Sequence, residues 1–258
     1  MKTGNENVPA PLRPWLAGID ALSDTPGDRG TLTHPPDAAT ALVFRTGAEG
    51  SDLLVMGPRT RASYHRDKQL ALCVKVRIRP GRARPLLGTP VADLVDRVVP
   101  LGELWGASGE RLARELARLG PEPGPVAERL QAELLAGLAT RSSRDLERSD
   151  LLRTAALAMT ARAHRRPESV AGLARRLAVS ERRLRDLFTD GVGLPPKQLA
   201  RIERVRAVLA HDGRRHWAEL AAESGYYDQS HLTAEFRRLM GVPPHAFGSG
   251  RRPAAEPC

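Results

Sequence analysis

Apolar and polar positions along the chain follow two different periods, and the change falls near residue 108. Over residues 69–79, Leu70, Leu72, Val74, Val76 and Ile78 alternate with Ala71, Cys73, Lys75, Arg77 and Arg79. That period of two is the mark of a half-buried strand. Shorter runs at 40–46 and 52–56 read the same way, and Gly57, Pro58, Pro80, Gly81, Pro85, Gly88 and Pro90 divide the region into turns. A small antiparallel sheet or barrel is predicted here, behind a Pro-rich leader that runs to Pro36. Beyond Ser108 the spacing becomes helical. Leu112, Leu116 and Leu119 form one apolar stripe, and Val126, Leu130, Leu134 and Leu138 form a second, with a break at 120–125. Such a helical hairpin would cover the sheet or supply a dimer interface. The polar stretch 141–149 reads as a linker.

Composition narrows the class. With 258 residues, 41% hydrophobic and 27% charged, the chain has enough apolar material for two folded domains. No apolar run approaches the roughly eighteen residues of a membrane span, and residues 1–9 lack a signal peptide's apolar centre. A cytoplasmic location is expected. Cys73 and Cys258 are the two cysteines, too few for a disulfide framework or a cysteine zinc site. Cys73 reads as a small buried hydrophobe. Through Asp150 there are 21 Lys/Arg against 19 Asp/Glu; after it, 19 against 11. The net charge of +10 is therefore mostly carboxy-terminal. That part of the chain is suited to a polyanion, although a charge excess is also what a solvated face shows.

An internal repeat gives this basic part a shape. Leu173-Ala174 recurs as Leu220-Ala221, 47 positions on. Leu184, Phe188, Gly193, Pro195 and Pro196 recur as Leu232, Phe236, Gly241, Pro243 and Pro244, 48 positions on. Each copy reads as a short helix, a tight turn and a second helix, which is helix-turn-helix order. The turns fall at Ala178-Val179 and Gly225-Tyr226, and Ser180 and Asp228 are placed to cap the second helices. Leu184, Leu187 and Phe188 share an inward face, as do Leu232, Phe236 and Leu239. The outward faces then hold Arg182, Arg185, Asp186 and Thr189 in one copy, and Ser230, Thr233, Ala234 and Arg237 in the other, with Gln229 in the first turn. Leu199, Ile202, Val205 and Leu209 continue a helix of about 23 Å between the copies. Two units so linked suit successive major-groove segments, which lie about 34 Å apart on one side of B-DNA.

Residues 150–247 resemble the DNA-binding domain of AraC/XylS-type transcription regulators. The resemblance rests on Leu173-Ala174, Ser180, Leu184, Phe188, Gly193, Arg201 and Arg204 in the linking helix, the run from Gly225-Tyr226-Tyr227-Asp228-Gln229-Ser230-His231-Leu232 to Phe236, and Gly241-Val242-Pro243-Pro244. The amino-terminal part resembles the sensory domain of one branch of that family, through Gly57-Pro58, Arg79-Pro80-Gly81 and residues 99–106. The fold class implied is α+β: a β-rich sensory-type domain with a helical hairpin (1–140), the linker (141–149), an all-α double helix-turn-helix domain (150–247) and a flexible tail (248–258). The resemblance implies seven helices in the second domain, with the third and sixth entering adjacent major grooves. Base-reading positions would be Arg182, Arg185, Asp186, Gln229, Ser230 and Thr233, with Ala234 where many members carry Arg. Backbone contacts would come from Ser180, Arg183, Arg201, Arg204, Arg237 and Arg238. Double-stranded DNA and RNA polymerase are the implied partners, and neither a membrane nor a cofactor is expected.

Catalytic patterns are weak by comparison. Among His34, His65, His164, His211, His216, His231 and His245 no pair has the helical i, i+4 spacing of a zinc protease. Gly191-Val192-Gly193 lacks the Lys-Ser/Thr of a phosphate loop, residues 106–109 lack the spacing of a nucleophile elbow, and Asp93 and Asp96 read as surface charges. No metal site and no enzyme are expected. A cupin-like enzyme or binding protein with a basic helical module, and a non-specific architectural DNA binder, stand as the alternatives. The interior of the 40–80 sheet is the expected place for a small-molecule effector. No residue identifies such an effector, and a homodimer is left open.

Overall fold

The computed structural model describes residues 8–23, 31–66, 70–159, 168–211 and 217–255. Residues 1–7, Gln69, His164, His216 and Cys258 lie outside these. The amino-terminal half is built on a five-stranded antiparallel sheet of β1 (Leu16–Ser23), β3 (Thr40–Gly47), β4 (Gly50–Met56), β6 (Leu72–Ile78) and β7 (Val98–Pro100). Their order is β1-β6-β3-β4-β7, while β2 (Thr31–His34) and β5 (Ser63–Arg66) pair separately. The alternation in β6 fixes its faces. Leu72, Val74, Val76 and Ile78 are buried, and Cys73, Lys75 and Arg77 point the other way.

Helix α1 (Ala83–Leu87) and α2 (Leu101–Trp105) flank the sheet, and α3 (Ala107–Arg118) and α4 (Pro123–Ala139) close its apolar face. Leu112, Leu116, Val126, Leu130 and Leu134 join Phe44, Val55, Val74 and Val76 in one core. The hairpin thus covers the sheet. The sheet is open rather than a barrel, and its apolar face is filled by these helices, so the expected effector cavity is not inside it. Three further expectations change. The Pro-rich leader contains β1 and β2, with a bulge between Leu16 and Gly18 that hides the alternation of β1. The expected linker is helical from Ser143 onward, as the start of α5 (Ser143–Met159). The described part of the tail, through residue 255, folds back, with the Arg252 guanidinium 3.6 Å from the centre of the Phe247 ring.

The carboxy-terminal half is helical: α5, α6 (Val170–Arg176), α7 (Glu181–Val192), α8 (Pro196–Leu209), α9 (Trp217–Glu223), α10 (Gln229–Met240) and α11 (Pro244–Gly248). Leu173, Leu184, Phe188, Ile202, Val205, Leu220, Leu232 and Phe236 form its core. Ala38 of the amino-terminal half also enters that core. Among the described residues no helix is long and apolar enough to cross a membrane.

Candidate nucleic-acid interface

The two helix-turn-helix units share their turns and the caps and ends of their second helices. Ser169 caps α6, its Oγ accepting the Gly172 N–H at 3.0 Å. The chain then turns through Ala178 in the left-handed region at φ 53, and the second unit turns through Gly225 at φ 76. Ala178 holds a conformation that costs an L-residue about 1–2 kcal/mol. Ser180 Oγ accepts the Arg183 N–H at 3.1 Å, and Asp228 Oδ1 accepts the His231 N–H at 2.7 Å. These caps fix where α7 and α10 begin. Gly193 and Gly241, at φ 80 and 77, end them.

The buried faces of α7 and α10 leave their opposite faces to solvent. Arg182, Arg183, Arg185 and Asp186 are exposed on α7; Gln229, Ser230, Ala234 and Arg237 are exposed on α10, and Thr233 is half-buried. Arg185 pairs with Glu181 at 2.6 Å, one turn back. Both partners are exposed, so the pair contributes about 0.3–0.5 kcal/mol and does not hold Arg185 away from a ligand.

Of the arginines expected at the backbone, Arg204 is placed differently. Arg204 is mostly buried and gives three hydrogen bonds of 2.9–3.1 Å to the Glu235 carboxylate, with its guanidinium 5.2 Å from the centre of the Tyr226 ring. It ties α8 to α10 and presents little to solvent. Arg201 reaches the same carboxylate at 3.4 Å but remains 42% exposed. Burial, then the Glu235 charge, pushes the Tyr226 phenol up, so it stays neutral. Arg238 is exposed beside the cleft under the amino-terminal sheet.

Between the units runs a groove of about 1080 Å³, walled by Arg185, Lys197, Arg201, Tyr227 and His231 among others. Lys197 and Tyr227 are absent from the expected set. Tyr227 is 93% exposed, immediately before the Asp228 cap. Its signal in the sequence is a second aromatic beside the buried Tyr226, at a position where the core has no use for one.

The two halves also touch behind α7 and α10. Tyr64 donates to the Met240 carbonyl at 2.5 Å, and the Ala62 N–H to the Leu239 carbonyl at 2.8 Å. Asp37 bonds Arg77 of β6 at 2.8 Å and Arg206 of α8 at 3.2 Å. Burial alone would raise the Asp37 carboxyl, but Arg206 and Arg77 hold it below its ordinary value. Among the described residues no group of three or more His, Cys, Asp or Glu is arranged to hold a metal.

A family model described as a helix-turn-helix domain matches residues 173–249. No curated protein matches the chain. Similar solved structures include the C-terminal domain of AraT, a response regulator from Geobacillus stearothermophilus, at 21% identity over 40% of this chain and 88% of that one, TM-score 0.35. The DNA-binding domain of AdpA, solved with a target DNA, gives 23% identity over 40% and 90%, TM-score 0.33. ToxT from Vibrio cholerae gives 10% identity over 90% and 95%, TM-score 0.44. With the matched segment running from Leu173 of the first unit to Ser249, just past α11, residues 173–249 form a helix-turn-helix domain of the AraC type.

Proposed function

We propose that the protein is a sequence-specific DNA-binding transcription regulator that reads two adjacent major-groove segments with α7 and α10. The observation that carries this is the double construction: two helices capped and ended alike, buried through equivalent Leu and Phe pairs, each with a polar exposed face. Arg182 and Arg185 suit guanine O6 and N7, Gln229 suits adenine N6 and N7, and Asp186 suits a cytosine amino group. Ser230 and Thr233 complete the reading set. Ser180, Arg183, Arg201 and Arg237 supply phosphate contacts, joined by Lys197 and Tyr227 in the groove between the units. Arg204 acts indirectly, by holding α10 on α8. The domain boundaries proposed are 1–140 and 143–249, the second beginning with α5. RNA polymerase is the expected partner at the promoter.

The amino-terminal half is the proposed effector domain. Its site is the cleft of about 830 Å³ between the outer face of the sheet and the end of α10. Val43, Leu54 and Met56 give it an apolar floor, and His34, Arg59 and Arg238 supply polar groups. A thermal-shift screen against metabolites tests this, since an occupant raises Tm; no response across a broad panel contradicts it.

Substitutions separate reading from holding. Gln229→Ala lowers discrimination at one base pair by about 1–3 kcal/mol, while Arg201→Ala weakens all sequences alike and reduces the salt slope by about one. Binding titrations on the best site and its single-base variants measure both. Equal loss on every sequence from both changes contradicts the division of roles.

A further inference from the structure

A second, smaller cavity of about 160 Å³ lies on the joint between the two halves, away from the cleft and the reading faces. Arg84 of α1, Arg141 on the α4–α5 connection and Arg148 of α5 converge on it. Two acids answer these three charges. Asp190, in the last turn of α7, takes Arg84 and Arg148, the latter at 2.6 Å. Asp145, in the cavity wall, is exposed and accepts the Ser142 hydroxyl at 2.7 Å. One positive charge is left over.

We propose that this cavity binds a small carboxylic acid of about three or four carbons. One carboxylate has the single charge that balances the cluster and two oxygens to accept from the guanidinium groups that line the cavity, a charge-assisted arrangement. Pro85 and Leu152 in the same wall receive its short apolar part. A phosphate monoester fits less well, since at nearly two negative charges it overshoots the balance. The site shares Arg84 and Arg148 with Asp190, so its occupant changes the charge environment at the end of α7. The effect on DNA reading rests on the function proposed above; the binding itself does not.

The test uses the full-length protein without DNA, so its failure leaves the DNA reading untouched. Propionate and pyruvate are titrated against chloride at matched ionic strength, by calorimetry and thermal melting. A Kd of about 1 mM is expected for ligands of this size, with Tm rising about 3–5 °C at ten times Kd. Arg141→Gln weakens binding at least about tenfold and removes the shift. Propionamide, the neutral isostere, gives no shift on the wild-type protein, a comparison that holds even where the variant does not fold. The assignment is overturned by no saturable binding, by equal responses to propionate and propionamide, by binding retained in Arg141→Gln, or by a stronger response to inorganic phosphate than to either acid.

Discussion

Ala178 shows how a helix-turn-helix tolerates a residue its backbone does not favour. Its φ of 53 belongs to the left-handed region, the conformation that Gly225 holds in the second unit without a Cβ. The price is accepted because the cores on either side, through Leu173 and Leu184, fix where the two helices go. Ala178→Gly is expected to stabilise the protein by about 0.5–1 kcal/mol, relief of strain outweighing the added unfolded-state entropy. Urea melts measure this, and a destabilised variant contradicts it. At this scale the sequence was informative wherever a residue acts through its neighbours, as Ser180 and Asp228 do in capping. It was uninformative for Arg204, because a long basic side chain beside a groove looks the same whether it meets a phosphate or a buried carboxylate.

At the scale of elements, α8 and α10 are locked through Glu235, whose carboxylate holds Arg204 in a buried pair and reaches Arg201. Removing one partner of a buried ion pair strands the other, so Glu235→Ala costs about 3–5 kcal/mol. The double change Arg204→Met with Glu235→Leu recovers much of that loss, because two apolar groups replace two satisfied charges. A loss below about 1 kcal/mol in Glu235→Ala shows the pair to be incidental. The strands and helices whose faces alternate cleanly were legible: β3, β4, β6, α3, α4, and the repeated pairs α6–α7 and α9–α10. Their periods are set by burial on one face. Strand β1 was not legible, since its register shifts between Leu16 and Gly18 and prolines precede it. The start of α5 is polar on the page because its partners are arginines and backbone of the other half, with Ser149 donating to the Gly81 carbonyl.

For the whole molecule, the arrangement of the two halves depends on contacts between residues far apart in the chain. Arg82, at 2% exposed, crosses from the amino-terminal half to Ser149 and Asp150 on α5, and its guanidinium lies 4.4 Å from the centre of the Trp15 ring. Nothing in local pattern announces such pairs, which is why the joint and its cavities were missed while the repeat was found. The cleft carries a pH signature. Burial, with Arg59, Lys75 and His65 nearby, lowers His34 to about 4. The unfolded chain takes up this proton near pH 6.5 and the folded one near 4, so stability falls as pH drops through that window. The loss is on the order of 2–3 kcal/mol, and His34→Gln removes it from the pH profile of urea melts; an unchanged profile contradicts the assignment. The proposed reading of DNA by one chain through two linked helices is checked by selecting bound genomic fragments with the purified full-length protein and titrating the best one and a scrambled one against salt. A bipartite motif with halves about ten base pairs apart and a specificity ratio of at least roughly 10³ is expected. Comparable, salt-sensitive binding to both fragments would contradict it, leaving only electrostatic attraction to the backbone.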